Sequence, residues 1–474
     1  MKNQKTNCFF ILKKVTKSSR KCYNSNEGDI MFENKKIFIF GMARSGYEAA
    51  LFLSKHHNEI LIVDGKEQDE EHVRELSNLG VSVVITEHPE ELLDDSYDVM
   101  IKNPGIIQTH PCVKKAHDLK IPVINEVEMA YHFLPKNVTI IAITGSNGKT
   151  TTTTITYEML KYAGLPVYLG GNIGTPLSKL VEQIQENSFL VMEISDHQLV
   201  DMKEFHPHIA VLTNLSQVHL DFHLNSYERY KQTKKKLFLP MNEEDIAILN
   251  MENKDVMDLT KDLTVSKRYF SSQKDADACI KDQALYVNQE RIIGLDEIRV
   301  KGIHNYENIM CATMIAKECG VSDEVICEVL KTFVGVEHRL EFVCKLNGRE
   351  FYNDSKSTNN QSTITALESF NNPVILLLGG LDRGIPFDEL TPYMEHVTHV
   401  VCYGETKNKI KEYCDKIGKD CTVLNTLEES VHAAYHLSNE GDTILFSPAC
   451  ASWDQFNTFE ERGETFKKVV NELK

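Results

Sequence analysis

Short apolar runs alternate along this chain with amphipathic stretches, and that alternation predicts an α/β protein with parallel sheets. The runs Lys36–Phe40, 59–63, 97–101 and 122–125 read as a first set of strands, with a helix over 47–55 after the first. A second set opens with 138–143, an apolar run broken only by Thr139, of the kind buried in a parallel sheet. It continues through 166–169, 189–194, Ile209–Leu212 and 247–250. Helical spacing covers 151–163, where Gly164 and Pro166 stop it, and also 230–238 and 309–318. A third set comprises 351–353, 374–378, 400–403 and Thr443–Phe446. The pattern predicts three domains: 31–130 Rossmann-like, 131–335 a P-loop-type α/β domain, and 336–474 a second Rossmann-like open sheet.

Composition narrows the class. A length of 474 residues suits about three ordinary domains. Hydrophobic content of 42% and charged content of 26% are those of a globular chain. The net charge of −17 argues against a general nucleic-acid surface, although local cations can still build an anion site. Twelve cysteines without CxxC spacing read as reduced thiols, which suits a cytoplasmic protein. No apolar stretch is long enough to span a bilayer, so no membrane partner is expected. Residues 1–30 are Lys-, Ser- and Asn-rich, with one apolar run at 8–12 too short for a signal-peptide core. They are expected to be a disordered extension ahead of Met31, with a targeting peptide as the alternative.

The candidate chemistry centres on Thr144-Gly145-Ser146-Asn147-Gly148-Lys149-Thr150-Thr151, set between a strand and a helix. A glycine-rich turn in that position aims backbone N–H groups and the positive end of a helix at one point, which suits phosphate. Lys149 can reach terminal phosphates and the Thr150 hydroxyl can ligate magnesium. The spacing is not that of the general P-loop, because Ile143 stands where its first glycine would be. Glu193, at a strand end among apolar neighbours, is placed to hold magnesium directly or through water.

Other polar groups collect at predicted strand ends. Gly41-Met42-Ala43-Arg44-Ser45-Gly46 is a dinucleotide-type turn lacking its middle glycine. Asp64, ending the next strand, reads equally as a ribose or base acceptor and as a strand-end cap. His219 and Asp221 follow the strand Ile209–Leu212. Lys234, Lys235 and Lys236 alone would pass for a solvated helix face. Asn305 and Asn308 are one turn apart and able to face one ligand.

With these residues in this order, the chain resembles the Mur ligase family, the ATP-dependent amide ligases of peptidoglycan synthesis. The resemblance runs from about residue 35 to 474 and rests on the Thr-Gly-x-x-Gly-Lys-Thr loop, Gly302-Ile303-His304-Asn305 and Asn353-Asp354-Ser355-Lys356-Ser357-Thr358-Asn359. It rests most on Ser447-Pro448-Ala449-Cys450-Ala451-Ser452 with Asp454-Gln455-Phe456 and Arg462-Gly463. It implies ATP and Mg2+, and an activity that adds D-glutamate to UDP-N-acetylmuramoyl-L-alanine through an acyl phosphate. These small molecules would be its partners, acting on a monomer with no nucleic acid. It also implies roles. Arg44, Ser45 and Asp64 would form the uridine pocket, with Asn172 and Ser195 on the nucleotide-sugar. Gly145 to Thr151, Asn305, Asn308, Arg339 and Asp354 would bind ATP. Thr150, Glu193, His219 and a carbamylated Lys234 would hold magnesium, and Lys149, His219 and Lys234 would be catalytic. Thr358, Arg383, Ser452 and Phe459 would surround D-glutamate. Two positions depart from the commonest family pattern: Ser195-Asp196-His197-Gln198 stands where Ser-Ser-Phe-Gln is usual, and Arg383 replaces a Lys. Within the class, the rival is another amide ligase of the same shape, a folylpolyglutamate synthase or a Mur ligase adding a different amino acid, and the Ser447-to-Ser452 stretch argues against it. The rival from another class is a nucleotide-binding oxidoreductase or sensor built on the first domain. The missing glycine and the central phosphate loop argue against it.

Overall fold

A computed structural model describes residues 32–218, 220 and 222–474. The expected extension 1–30 and the candidates His219 and Asp221 lie outside the described residues. The chain forms two compact units, one reaching Ile298 and taking in Ile303–Lys331, the other comprising Arg299–Gly302 and Thr332–Lys474.

The first unit holds two sheets. Strands β1 (Lys36–Phe40), β2 (Glu59–Asp64), β3 (Ser82–Ile85), β4 (Val99–Lys102) and β5 (Val123–Ile124) pair in the order β3-β2-β1-β4-β5, all parallel. The chain reverses direction of winding at β1, and the glycine turn stands at its C-terminal end. The helix after it, α1 (Arg44–Ser54), begins three residues earlier than the sequence predicts. It can do so because Gly46 carries no side chain: a Cβ there would lie 1.9 Å from the Gly41 carbonyl.

The central sheet has nine strands: β6 (Thr139–Thr144), β7 (Val167–Gly171), β8 (Phe189–Glu193), β9 (Ile209–Leu212), β10 (Ile246–Asn250), β11 (Ser266–Ser271), β12 (Ala278–Lys281), β13 (Ala284–Val287) and β14 (Glu290–Gly294). Their order is β14-β13-β12-β11-β10-β9-β6-β8-β7. β6 is buried along its whole length between β8 and β9, as its apolar run requires. Helix α2 (Lys149–Tyr162) starts directly after Gly148, whose φ of 81° makes the turn. Helix α3 (Tyr227–Lys235) opens one turn earlier than predicted, because the Ser226 hydroxyl accepts from the Arg229 amide. Helix α4 (Ile303–Glu318) also opens early and takes in both Asn305 and Asn308.

The strands from 266 to 294 were not evident from the sequence. Two of their links, Asp282-Gln283 and Asn288-Gln289, are two-residue turns with positive φ at both positions, the geometry of tight hairpins without the glycine that usually marks them.

The second unit holds β15 (Glu341–Leu346), β16 (Arg349–Asn353), β17 (Val374–Gly379), β18 (Val397–Tyr403), β19 (Cys421–Val423) and β20 (Thr443–Phe446), in the order β15-β16-β20-β17-β18-β19. All pairs are parallel except β15 with β16. Helix α5 (Phe459–Glu472) ends the chain, and its Phe466 packs on Phe446 of β20 with ring centroids 4.9 Å apart. Among the described residues no helix is long and apolar enough to cross a membrane.

Candidate functional site

The turn between β6 and α2 is braced by the segment after β9. The Ser146 amide donates to the Asn214 carbonyl at 2.9 Å, and the Asn147 amide to Asn214 Oδ1 at 2.9 Å. The Thr213 hydroxyl donates to the Asn147 carbonyl at 2.6 Å. Two glycines are needed for this shape. Gly145 has φ 147°, and a Cβ on it would lie 2.0 Å from Thr213 Oγ1. A Cβ on Gly148 would lie 2.2 Å from Asn308 Oδ1. Asn308 is therefore packed directly against the loop, and Asn305 lies one turn before it on α4. The first amides of a helix lack intrahelical partners, and the N-terminus of α2 opens at this turn, an arrangement that suits an anion.

A polar chain crosses the adjoining strand ends. The Thr150 hydroxyl donates to Glu193 Oε2 at 2.7 Å, and the Asn172 amide donates to Glu193 Oε1 at 2.7 Å. Glu193 is 2% exposed. Three oxygen-bearing side chains converge here, and hard oxygen donors suit magnesium, so the residues present fit that ion. Lys149 folds over the loop, its Nζ donating to the carbonyls of Gly145 and Ser146 at 2.9 and 2.8 Å.

Lys234 is not on a solvated face. It is fully buried at the end of β6, with Nζ donating to the Thr144 hydroxyl at 3.0 Å and lying 3.5 Å from Asp196 Oδ1. Burial pulls its pKa down to about 7; Lys149 lowers it further, and Asp196 opposes both. An amine with a pKa brought that low is neutral in a large part of the molecules near pH 7. Lys235 and Lys236, by contrast, are half-buried.

Asp196, where the motif departs from the family pattern, is 1% exposed. Its Oδ2 lies 2.9 Å from His223 Nε2 and 3.3 Å from His197 Nδ1. Two imidazoles and the Lys234 side chain surround it, so its carboxylate oxygens have polar partners within the protein. Ser195 caps the short helix Asp196–Leu199, with its hydroxyl accepting from the Gln198 amide at 3.3 Å. Tyr230 reaches from α3 to the loop, its hydroxyl 2.7 Å from Ser146 Oγ. Neither the Asp196–His223–Lys234 grouping nor the Tyr230–Ser146 contact was read from sequence, because each joins residues that only the sheet order makes neighbours.

In the first domain Arg44 lines a cavity with Met42, Tyr47, Leu51, His72 and Lys179. Its guanidinium donates to the Gly174 carbonyl. Ser45 and Asp64 do not line that cavity. The Ser45 hydroxyl accepts from Asn103 Nδ2 at 3.2 Å. Asp64 accepts from the Met42 and Lys66 amides at 2.7 and 3.0 Å, so its carboxylate holds the glycine turn and fulfils the cap reading.

In the second unit, Thr358, Arg383 and Ser452 follow β16, β17 and β20, three adjacent strands. Phe459 opens α5, and its carbonyl accepts from the Ser355 hydroxyl at 2.7 Å. Arg462, fully buried and not identified as a site group, ties two of these loops together. Its guanidinium donates to the Ser355 and Cys450 carbonyls at 2.7 and 3.0 Å. Asp354 accepts from the Leu340 amide at 3.1 Å and the Ser447 hydroxyl at 2.7 Å, and burial raises its pKa. Arg339 has its Nε buried with no hydrogen-bond partner among the described residues. Glu337, His338 and Glu464 bring ligand atoms within 4.8 Å of one another. The Lys467 ammonium, 2.7 Å from Glu464 and 3.4 Å from Glu341, already supplies the cation there.

Comparison with known proteins places the chain in a family. Three family models match in series: the Mur ligase MurD-like N-terminal domain over 35–125, the Mur ligase middle domain over 143–316, and the Mur ligase glutamate ligase domain over 338–450. The chain is 44% identical over 446 residues to UDP-N-acetylmuramoylalanine--D-glutamate ligases of Bacillus cereus and Bacillus anthracis, covering 93% of this chain and 98% of each relative. Among solved structures it is similar in fold to the UDP-N-acetylmuramate-alanine ligase of Thermotoga maritima. That match has a TM-score of 0.60 and 19% identity, covering 93% of this chain and all of that one. It is also similar to the MurF ligase of Thermotoga maritima in complex with ADP, with a TM-score of 0.56 and 16% identity, covering 94% of this chain and all of that one. The chain belongs to the Mur ligase family.

Proposed function

We propose that this chain is an ATP-dependent ligase that joins D-glutamate to UDP-N-acetylmuramoyl-L-alanine, releasing ADP and phosphate, in the cytoplasmic assembly of peptidoglycan precursor. One observation carries the reading furthest: a phosphate loop whose Thr150 donates to buried Glu193 at 2.7 Å, where the Asn172 side chain also donates at 2.7 Å, with buried Lys234 at the adjoining end of β6. The names of the 44%-identical relatives support the choice of substrates.

In this reading the carboxylate of the nucleotide-sugar substrate attacks the γ-phosphorus of ATP, giving an acyl phosphate and ADP. The amine of D-glutamate then attacks the acyl carbon, and phosphate leaves. The protein's part is to position anions and offset their charge. Gly145, Ser146, Asn147, Gly148 and Thr151 cradle the phosphates, and Lys149 turns from the loop carbonyls to the γ-phosphate. Thr150, Glu193, His219 and Lys234 as a carbamate would hold magnesium, which supplies charge neutralisation on the transferring phosphoryl group. Asn305, Asn308, Arg339 and Asp354 are assigned to the rest of ATP. The buried Nε of Arg339, without a hydrogen-bond partner among the described residues, supports that assignment. Arg44, Ser45, Asp64, Asn172 and Ser195 are assigned to the UDP-substrate. Thr358, Arg383, Ser452 and Phe459 are assigned to D-glutamate. The domains are taken as 31–130, 131–335 and 336–474, and the working form as a monomer.

The test is ADP release by the full chain with each substrate omitted in turn. The proposal expects release only when ATP, UDP-N-acetylmuramoyl-L-alanine and D-glutamate are all present. Equal release with D-glutamate left out, or with L-alanine or a diamino acid in its place, would overturn it.

A further inference from the structure

Arg383 is exposed on the loop after β17 and has no carboxylate partner among the described residues. Its neighbour Asp382 is engaged elsewhere, by the Lys409 ammonium at 3.1 Å and the Gly384 amide at 2.8 Å. An aromatic contact locates the guanidinium: its carbon lies 4.9 Å from the ring centroid of Trp453. Trp453 is the only tryptophan of the chain and is 63% exposed. The two loops are held side by side. Leu381 forms an antiparallel bridge to Ala451, its amide donating to the Ala451 carbonyl at 3.0 Å. The Ser452 carbonyl then accepts from the Phe456 and Gln455 amides at 2.9 and 3.2 Å, fixing the turn that carries Trp453. An exposed indole costs solvation, and here its face carries the guanidinium of Arg383.

We infer that Trp453 is a positioning residue, whose indole face holds the Arg383 guanidinium in place for a carboxylate of the amino-acid substrate. This rests on the reading above that Arg383 takes D-glutamate. Arginine suits such a mounting better than lysine, because a planar guanidinium stacks on an aromatic face and still presents a bidentate edge. A carboxylate that docks on that edge changes the field at the indole, so the single tryptophan also reports occupancy.

Steady-state kinetics and tryptophan emission of the full chain test this, with the nucleotide-sugar saturating. Trp453→Leu is expected to raise the KM for D-glutamate roughly 3- to 10-fold, the scale of a lost cation–π contact. The KM for ATP should stay within about 2-fold, and Trp453→Tyr, which keeps an aromatic face, should restore most of the loss. Wild-type emission should shift on adding D-glutamate, and Arg383→Ala should abolish the shift. A Leu variant with unchanged KM for D-glutamate, Tyr and Leu variants equally impaired, or a wild-type emission that ignores D-glutamate would each overturn the inference. Arg383→Ala separates the two claims. If it raises the KM for D-glutamate while Trp453→Leu does not, only the positioning role falls. If it leaves that KM unchanged, the assignment of Arg383 to D-glutamate falls, and the inference with it.

Discussion

At the scale of single residues, the site is a set of charges placed where water cannot screen them. Lys149 is the cation nearest the proposed γ-phosphate, and Lys149→Ala should lower turnover by about 100- to 1,000-fold while leaving the far-UV circular dichroism unchanged. Lys234→Ala should be equally damaging, but acetate should partly restore it if an anionic oxygen is what the side chain supplies. Initial rates across an acetate titration check this, and the absence of any rescue would count against the carbamate. Glu307 shows the same physics without the catalysis. Burial and then the neighbouring Glu252 raise its pKa to about 7, and both carboxylates share the Ser272 hydroxyl at 3.1 Å. The folded state therefore holds a proton that the unfolded state releases near pH 4.5. Its stabilising contribution is complete below that pH and is lost as pH rises to about 7. Glu307→Gln should accordingly raise the melting temperature at pH 8 and change it little at pH 4. Melting curves at both pH values decide it.

At the scale of elements, the loop between β6 and α2 depends on backbone shapes that only glycine allows. Gly145→Ala would drive a Cβ to within 2.0 Å of Thr213 Oγ1 at a φ of 147° and should weaken ATP binding at least 10-fold, measured by calorimetry, because Thr213 is the brace that shapes the loop. This element was legible in the sequence: an apolar run, Gly-Lys-Thr and a helical stretch are all local signals. So were Glu193 and the strand ends bearing Thr358, Arg383 and Ser452. Lys234 was legible only through family likeness, since its neighbours Lys235 and Lys236 imitate a solvated face while the fold buries Lys234 entirely. The edge strands were harder. β15 and β16 are joined through Asn347-Gly348, both with positive φ, a strong hairpin signal in the chain itself. The hairpins from 278 to 294 carry no such glycine, and their polar edge positions break the period-2 pattern.

At the scale of the molecule, polar bridges join the first two sheets into one unit. Lys102 and Asp201 meet at 3.0 Å with exposures of 0% and 5%, and Lys102 also donates to the Ile106 carbonyl at 2.6 Å. Removing one partner leaves the other charged and buried, so Lys102→Ala should cost about 3–5 kcal/mol of stability by urea denaturation. The pair was invisible in the sequence because 98 residues separate its members and neither lies in a recognisable motif. The sheet order has a last consequence, one of timing. β6 emerges from the ribosome first, but its neighbours β8 and β9 come later, and the Asn308 that packs on Gly148 later still. At roughly 5–20 residues per second, the apolar β6 waits on the order of ten seconds before its loop is closed. During that interval the future ATP site is a sticky strand, so nascent chains of this protein should depend on holding chaperones until residue 308 has been made.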